Sequence, residues 1–272
     1  MNPITDQAPF VFHPGTQPLL ISMPHAGTFV PPDLAARLTP QAREVHDTDW
    51  HLDRLYDFAV GLGASILRAT HSRYVVDLNR PPDNANLYPG QDTTGLCPTD
   101  AFDGTPLYLA GQAPDDAEIA ARREAVWHPY HAQLAGELAR IRSLHGVAVL
   151  WDAHSIRSVV PRFFDGRLPD FNLGTANGAS CDPALADAVL AIANGAPGYT
   201  AVLNGRFKGG HITRLYGQPS RGVHAIQMEM AQCTYMQEQT PFHYLPETAA
   251  KVQPHLLAML QAVLRFAEPA RP

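Results

Sequence analysis

Short apolar runs alternate with longer stretches of helical periodicity along the chain. Two runs, Leu19–Met23 and residues 147–151, are rich in aliphatic side chains and end near proline or polar residues. Runs of this length and composition are typical of buried strands. Similar patterns predict four further strands, at Ser65–Ala69 and at residues 74–78, 200–203 and 223–230.

Apolar residues at spacings of three and four predict amphipathic helices at residues 49–62, 115–145, 182–194 and 246–266. The second of these is expected to kink near Pro129. Residues 208–211 predict a tight turn, and residues near 81–113 and 155–181 predict long loops because they are rich in proline, glycine or asparagine.

The alternation of strands and helices predicts an α/β fold with three layers, in which a mostly parallel or mixed sheet has helices on both faces. We expect residues 1–272 to form a single catalytic domain. The hydrophobic fraction of 45% and the charged fraction of 17% are typical of a folded globular protein.

The net charge of −6 argues against nucleic acids and anionic membranes as main partners, since both favour a basic surface. The three cysteines form no CxxC pair, so neither a disulfide framework nor a thiolate metal site is expected. The N-terminal residues lack a signal-peptide pattern, and no apolar run approaches the ~18 residues that span a bilayer. We therefore expect a cytoplasmic protein, with its oligomeric state left open.

A histidine follows each of the first two apolar runs: His25 and His154. Ligands of open α/β sheets bind outside the carboxyl ends of the strands, so these histidines are candidates for a metal site. A catalytic zinc ion commonly has three protein ligands from histidine and carboxylate side chains, with one position left for water. Zinc is the expected ion, although the same ligands also suit manganese, cobalt or nickel.

The third ligand is expected to be a carboxylate, and three are near enough in sequence. Asp49 is preferred because it begins a predicted helix, where the N-terminal partial charge favours an anion. A simple helix N-cap is its structural alternative. Asp47 and Asp152 remain alternative ligands. Asp152 could instead orient the imidazole of His154, since residues two apart in a strand share a face.

Glu229 lies in the predicted strand 223–230 between two methionines. Apolar surroundings raise the pKa of a carboxyl, which suits a general base, whereas a structural ion pair is the alternative. Arg73 and Arg80 flank the predicted strand 74–78. Arginines in this position could bind a carboxylate or stabilise an oxyanion, or they could form surface ion pairs.

Five segments occur in an order that resembles the N-formylglutamate deformylase (N-formylglutamate amidohydrolase) family. They are PHAG at 24–27, DTDW at 47–50, SRYVVDLNR at 72–80, DAHS at 152–155 and GGHIT at 209–213. The resemblance extends over about residues 18–265. It implies a zinc-dependent hydrolase that releases formate and L-glutamate from N-formyl-L-glutamate, the last step of one histidine-degradation route. It also implies a fold similar to that of the zinc exopeptidases, including the zinc carboxypeptidases, and of the aspartoacylase-like deacylases.

The resemblance further implies roles for individual residues: metal ligands His25 and His154, carbonyl-polarising Arg73, carboxylate-binding Asn79 and Arg80, and the base Glu229. The related deacylases have a glutamate three residues after the first histidine, where this chain has Thr28. The carboxylate ligand must therefore come from elsewhere in the chain, and Asp49 is the residue assigned to it.

The implied substrate is a small dianionic amino acid, which needs a second counter-charge. Arg214 or Lys208 is expected to supply it. Two alternatives remain: a deacylase of another N-acyl acidic amino acid, such as an N-acetyl or N-succinyl compound, and a dicarboxylate-binding protein without turnover. The binding protein would need Arg80 but not the histidines or Glu229. No basic stripe favours DNA binding.

Overall fold

A seven-stranded mixed sheet forms the centre of the computed structural model, which describes residues 7–86 and 93–268. The strands are β1 Phe10–His13, β2 Leu19–Met23, β3 Ser65–Ala69, β4 Ala148–Ile156, β5 Phe171–Gly174, β6 Ala201–Leu203 and β7 Val223–Ala231. Their order is β1-β3-β2-β4-β7-β5-β6. The four central strands β3, β2, β4 and β7 are parallel, β1 and β5 pair antiparallel with the edges of this group, and β6 is parallel to β5.

Helices cover both faces of this sheet. They are α1 Pro32–Ala35, α2 Leu52–Leu55, α3 Asp116–Arg122, α4 His128–His145, α5 Pro183–Asn194, α6 His211–Tyr216 and α7 Pro246–Ala267. Alternate side chains of β2 enter two different cores: Ile21 packs with α2, α5 and α7, whereas Leu20 packs with α4 and α6. The predicted α/β class, with a mixed sheet between helical layers, is confirmed.

The register of β4 and β7 positions several polar side chains of the functional site. The two strands have nine residues each and lie side by side in parallel, with His154 opposite Glu229 and Asp152 opposite Gln227. Side chains two apart in a strand point to the same face. Four polar side chains therefore share one face near the carboxyl ends of the central strands.

The predicted helix 49–62 is wrong, because the chain forms only α2 and a 3-10 turn at Asp57–Ala59. His51 has φ of 61°, which a continuous right-handed helix does not contain. Its Nε2 atom lies 2.7 Å from the carbonyl oxygen of Phe242, so a tertiary contact accompanies the break. Asp49 is not a helix N-cap. Its backbone N–H donates to the carbonyl of His25 at 3.0 Å.

The predicted strand 74–78 is also wrong. This segment is fully buried but runs through turns, in which Val75 N–H donates to the carbonyl of Ser72 and Arg80 N–H donates to that of Asp77. A buried apolar run has the same hydrophobicity whether its backbone N–H and C=O groups are hydrogen-bonded in a sheet or in turns. Burial was therefore predicted here, but the conformation was not.

The remaining predictions match the structure more closely. Residues 115–145 form α3 and α4, joined by a π-helical turn at Arg123–Trp127. This irregular turn directly precedes the region of Pro129, where a kink was expected because proline lacks the N–H that continues the ladder. The strands β2, β3, β4, β6 and β7 and the helices α5 and α7 lie where the sequence predicts them, within a few residues.

Four short elements were missed. The helix α1 lies between β2 and the predicted helix 49–62, the strand β5 lies inside the predicted loop 155–181, β1 forms the sheet edge, and α6 begins at the predicted turn 208–211. Each is six residues or shorter, so its periodicity is weak. The described parts of the loop near 81–113 contain neither a helix nor a strand longer than a bridge, and residues 87–92 of that loop lie outside the described residues. No helix in the described ranges is long and apolar enough to cross a membrane.

Candidate active site

Three residues from separate parts of the chain form a buried cluster: His25, Asp49 and His154. One potential ligand atom of each lies within 4.8 Å of the others. Nδ1 of His154 is 3.1 Å, and Nδ1 of His25 3.8 Å, from the same Oδ2 atom of Asp49. The two histidines meet because β2 and β4 are adjacent parallel strands, with His25 two residues beyond β2 and His154 near the end of β4.

The second nitrogen of each imidazole has its own polar neighbours. Nε2 of His25 lies 2.7 Å from Oδ1 of Asp77. Nε2 of His154 lies 3.1 Å from Nδ2 of Asn79 and 3.2 Å from Oδ2 of Asp152. Contacts of this kind fix the ring orientation of metal-binding histidines. They leave Nδ1 of both rings facing Asp49.

The two alternative third ligands have other contacts. Asp47 accepts hydrogen bonds from the Tyr74 hydroxyl and the Phe102 N–H, both at 2.8 Å, and so anchors the loop at Phe102. Asp152 accepts from the Ser22 hydroxyl at 3.2 Å and lies beside His154. Of the three candidate carboxylates, Asp49 is the one that the described structure brings into the cluster with both histidines.

The two histidines of the cluster differ in their electrostatics, because burial and the adjacent Arg73 lower the pKa of His25. Burial lowers the pKa of His154, but Asp152 and Asp49 outweigh this effect and raise that pKa well above its ordinary value. The carboxylates therefore draw positive charge to the ring. Two imidazoles and one carboxylate, all buried, are also the donor set of catalytic zinc sites. The residues present therefore fit a divalent metal ion.

Arg73 lies directly beside the cluster. Its Nη2 atom donates to Oδ2 of Asp77 at 2.6 Å, and its Nη1 atom lies 3.2 Å from Nδ1 of His25. Its guanidinium carbon lies 4.5 Å from the centre of the Phe102 ring. Since Asp77 contacts both His25 and Arg73, it couples the positions of these two side chains.

Glu229 borders the same site from β7. Burial raises the pKa of its carboxyl to about 8, against the opposing effect of His154. Its Oε2 atom accepts a hydrogen bond from the Gln227 side chain at 3.2 Å, and Gln227 in turn accepts from the Gly210 N–H at 2.7 Å. A carboxyl with a pKa near neutrality can exchange protons with a substrate or with water.

A pocket opens onto these groups. Besides His25 and His154, its lining includes three arginines, one glutamate and three phenylalanines: Arg73, Arg80, Arg206, Glu229, Phe102, Phe163 and Phe207. Asn79 also lines it, with Oδ1 accepting from the Ile212 N–H at 2.8 Å. This lining suits an anionic ligand with a short apolar portion.

The structure does not bring Arg214 to the pocket. It is exposed on α6 with its Nε atom donating to the carbonyl of Gly209 at 2.8 Å, and Lys208 likewise lies outside the pocket lining. Asp77 and Arg206 were not singled out from the sequence. Asp77 is a charged residue inside an otherwise apolar run, which is a usable signal, whereas Arg206 lies in a loop without any pattern.

Comparison with known proteins identifies the family. The model of the N-formylglutamate amidohydrolase family matches residues 17–236. The chain belongs to this family. It is 58% identical over 255 residues to the N-formylglutamate deformylase of Pseudomonas aeruginosa, covering 94% of this chain and 96% of that one. It is 54% identical to the deformylase of Pseudomonas putida, with 94% and 95% covered.

Solved structures agree with this assignment. The crystal structure of the N-formylglutamate amidohydrolase from Ralstonia eutropha JMP134 superposes with a TM-score of 0.82 at 26% identity, covering 96% of this chain and 99% of that one. A structure from Agrobacterium tumefaciens shares the fold, with a TM-score of 0.73 at 21% identity and coverage of 96% and 97%. The protein is therefore an enzyme, a hydrolase that acts on an amide bond.

Proposed function

We propose that the enzyme hydrolyses N-formyl-L-glutamate to formate and L-glutamate with one bound zinc ion, as the last step of a histidine-degradation route. The similarity to two deformylases, at 58% and 54% identity over 94% of this chain, carries this proposal. The pocket supports it, because a cluster suited to a metal adjoins a buried glutamate and several arginines.

The metal would be held by His25, Asp49 and His154. Zinc bound there would lower the pKa of the attacking water and withdraw electrons from the formyl carbonyl. Asp77 and Asn79 hold the two imidazoles in place through their second nitrogens. Manganese, cobalt and nickel suit the same donor set, so the choice of zinc rests on the catalytic pattern of two histidines and one carboxylate.

In this proposal Glu229 accepts the proton of the attacking water and then donates it to the nitrogen of the leaving amine. Positive charge at the neighbouring cluster favours its ionised form, which counteracts the effect of burial. Arg73 donates hydrogen bonds to the carbonyl oxygen as that oxygen gains negative charge. The ion pair with Asp77 holds the guanidinium of Arg73 beside His25 for this purpose.

Asn79 and Arg80 would bind the α-carboxylate of the substrate. The Arg80 guanidinium is held by donation from Nε to the carbonyl of Thr94 at 2.8 Å and from Nη1 to that of Asn79 at 3.1 Å. Because Asn79 also contacts His154, this carboxylate would lie next to the metal cluster. An α-carboxylate is two bonds from the scissile nitrogen, which fits that placement.

A substrate panel tests the proposal. We expect the zinc-loaded enzyme to release the amino acid fastest from N-formyl-L-glutamate, compared with the N-acetyl and N-succinyl compounds and with the corresponding aspartates. Fastest turnover of an acetyl or succinyl compound would indicate a different deacylase. Tight binding of N-formyl-L-glutamate without any turnover would indicate a dicarboxylate-binding protein.

A further inference from the structure

One arginine of the active-site pocket has no role in the proposed reaction. Arg206 follows β6 in the loop that leads to α6, and it lines the same pocket as His25 and His154. Its Nε atom donates to the carbonyl oxygen of Phe163 at 2.6 Å. The guanidinium carbon lies 5.9 Å and 5.7 Å from the ring centres of Phe163 and Phe207. The side chain is thus held against the pocket wall.

The charges of the pocket require such a group. The proposed substrate carries two carboxylates, whereas Arg73 is ion-paired with Asp77 and is assigned to the reacting carbonyl. Arg80 neutralises one carboxylate. Among the described residues that line the pocket, Arg206 is the remaining arginine. An arginine is well suited to this task, because its planar guanidinium can bind a carboxylate through two parallel hydrogen bonds.

The position of Arg206 indicates which carboxylate it binds. Arg80 adjoins Asn79, which contacts His154, so the Arg80 end of the pocket lies next to the metal cluster. Arg206 contacts Phe163 and Phe207, which belong to a group of phenylalanines at the pocket wall; Phe102 of the same group lies beside Arg73. The γ-carboxylate of glutamate is four bonds from the scissile nitrogen, so it can reach an arginine at the phenylalanine wall of the pocket. Phenylalanine rings can also cover the two methylene groups on the way.

We propose that Arg206 binds the γ-carboxylate of the substrate and thereby makes the enzyme select an acidic side chain. This inference rests on the proposed function, because it assumes that the scissile amide lies at the cluster. The Nε bond to the Phe163 carbonyl orients the guanidinium at the pocket wall. Arg206 is then a specificity-determining residue, and its removal should affect only substrates that carry the γ-carboxylate.

Three substrates test the contribution of each carboxylate separately. N-formyl-L-glutamate carries both carboxylates, N-formyl-L-glutamine lacks the γ-carboxylate, and N-formyl-L-isoglutamine lacks the α-carboxylate. We expect zinc-loaded wild-type enzyme to prefer the glutamate compound to the glutamine compound at least about tenfold in kcat/KM. In R206Q, kcat/KM should fall about 10- to 100-fold for the two substrates with a γ-carboxylate. For N-formyl-L-glutamine it should change by less than about threefold.

Two further variants complete the experiment. R206K keeps the charge without the planar fork, so we expect an intermediate loss that is still confined to γ-carboxylate substrates. R221Q removes an exposed arginine that bonds Gln218, and it should leave all three rates unchanged. Thermal unfolding of each variant shows whether R206Q is folded, and R206K provides the answer if it is not.

The results distinguish a failure of the Arg206 assignment from a failure of the proposed function. Equal losses for glutamate and glutamine compounds in R206Q, or no loss at all, would overturn the γ-carboxylate assignment. A loss shared by glutamate and glutamine but absent for isoglutamine would place Arg206 at the α-carboxylate instead. Wild-type enzyme that hydrolyses none of the three would overturn the proposed function and this inference together.

Discussion

Four buried carboxylates surround the two histidines of the site, and the contacts of each define a different task. Asp49 faces Nδ1 of both rings, and Asp77 holds His25 together with Arg73. Asp152 lies beside His154 on the same face of β4. Glu229 is the one whose pKa burial raises to about 8. A change at each position should therefore alter a different measurable property.

Replacing Glu229 with glutamine should abolish proton transfer without removing the metal. We expect kcat for N-formyl-L-glutamate to fall about 10²- to 10⁴-fold, the usual range for loss of a general base. Bound zinc and the unfolding temperature should stay close to wild type, because glutamine preserves the shape of the side chain. Steady-state kinetics and elemental analysis of the same preparation measure both.

Glu137→Gln is the matched control for this prediction. Glu137 is 4% exposed, against 7% for Glu229, but it lies on α4 outside the pocket lining, where it accepts hydrogen bonds from Ser65 of β3 and from Arg140. Its replacement should lower stability and leave kcat unchanged. Wild-type turnover by the folded, zinc-loaded Glu229 variant would remove Glu229 from the mechanism.

The choice of Asp49 as third ligand gives a second prediction. Asp49→Asn should weaken zinc binding at least about 100-fold, since it removes the anionic ligand from the cluster. Asp47→Asn is the control, because Asp47 bonds Tyr74 and Phe102 instead. It should leave zinc affinity within about threefold and lower stability by about 1–3 kcal/mol. Competition with a coloured chelator measures the zinc affinities. A larger loss of zinc affinity in Asp47→Asn than in Asp49→Asn would show that Asp47 is the ligand.

At the scale of elements, the site depends on three adjacent parallel strands. The strands β2, β4 and β7 end at the same edge of the sheet, which brings His25, His154 and Glu229 together. The apolar runs of these strands are recognisable in sequence because helices bury both faces of a central parallel sheet. Sequence reasoning therefore located these three residues well.

Other parts of the site were beyond prediction for physical reasons. The segment 74–78 is as apolar as a strand, yet its backbone bonds are made in turns, so Asp77 was not seen as the partner of His25 and Arg73. The break at His51 depends on a contact with Phe242, almost two hundred residues later. The loop that carries Arg206 has no periodicity, so the sequence pointed to Arg214 or Lys208 as the second counter-charge instead.

The entry to α6 gives a prediction at this scale. A Cβ atom at Gly210 would lie 2.4 Å from Nδ2 of Asn79, the atom that contacts His154. Gly210→Ala should therefore displace Asn79, loosen His154 and lower kcat/KM at least about tenfold, with a lower unfolding temperature. Gly136→Ala on α4 is the control, because nothing lies within 4 Å of its Cβ position. That change should raise stability by about 0.5–1 kcal/mol and leave kcat/KM unaltered, whereas similar kinetics in both variants would contradict the proposed contact.

At the scale of the whole molecule, the distribution of charge is uneven. The chain has a net charge of −6, yet three arginines and one glutamate line the pocket. A dianionic substrate is therefore attracted by local groups and not by the overall field of the protein. The arginines attract the anionic substrate, whereas the buried carboxylates around the histidines favour a cation at the cluster of His25, Asp49 and His154.

The dependence of turnover on one divalent ion tests our proposal most directly. We expect fully active enzyme to contain one equivalent of metal per chain, to lose at least about 99% of its activity on chelation, and to regain it with zinc. Asp49→Asn should lose the metal on purification and need a correspondingly higher zinc concentration to refill the site. Metal-free enzyme that hydrolyses N-formyl-L-glutamate at the wild-type rate, unaffected by chelators, would contradict the proposal.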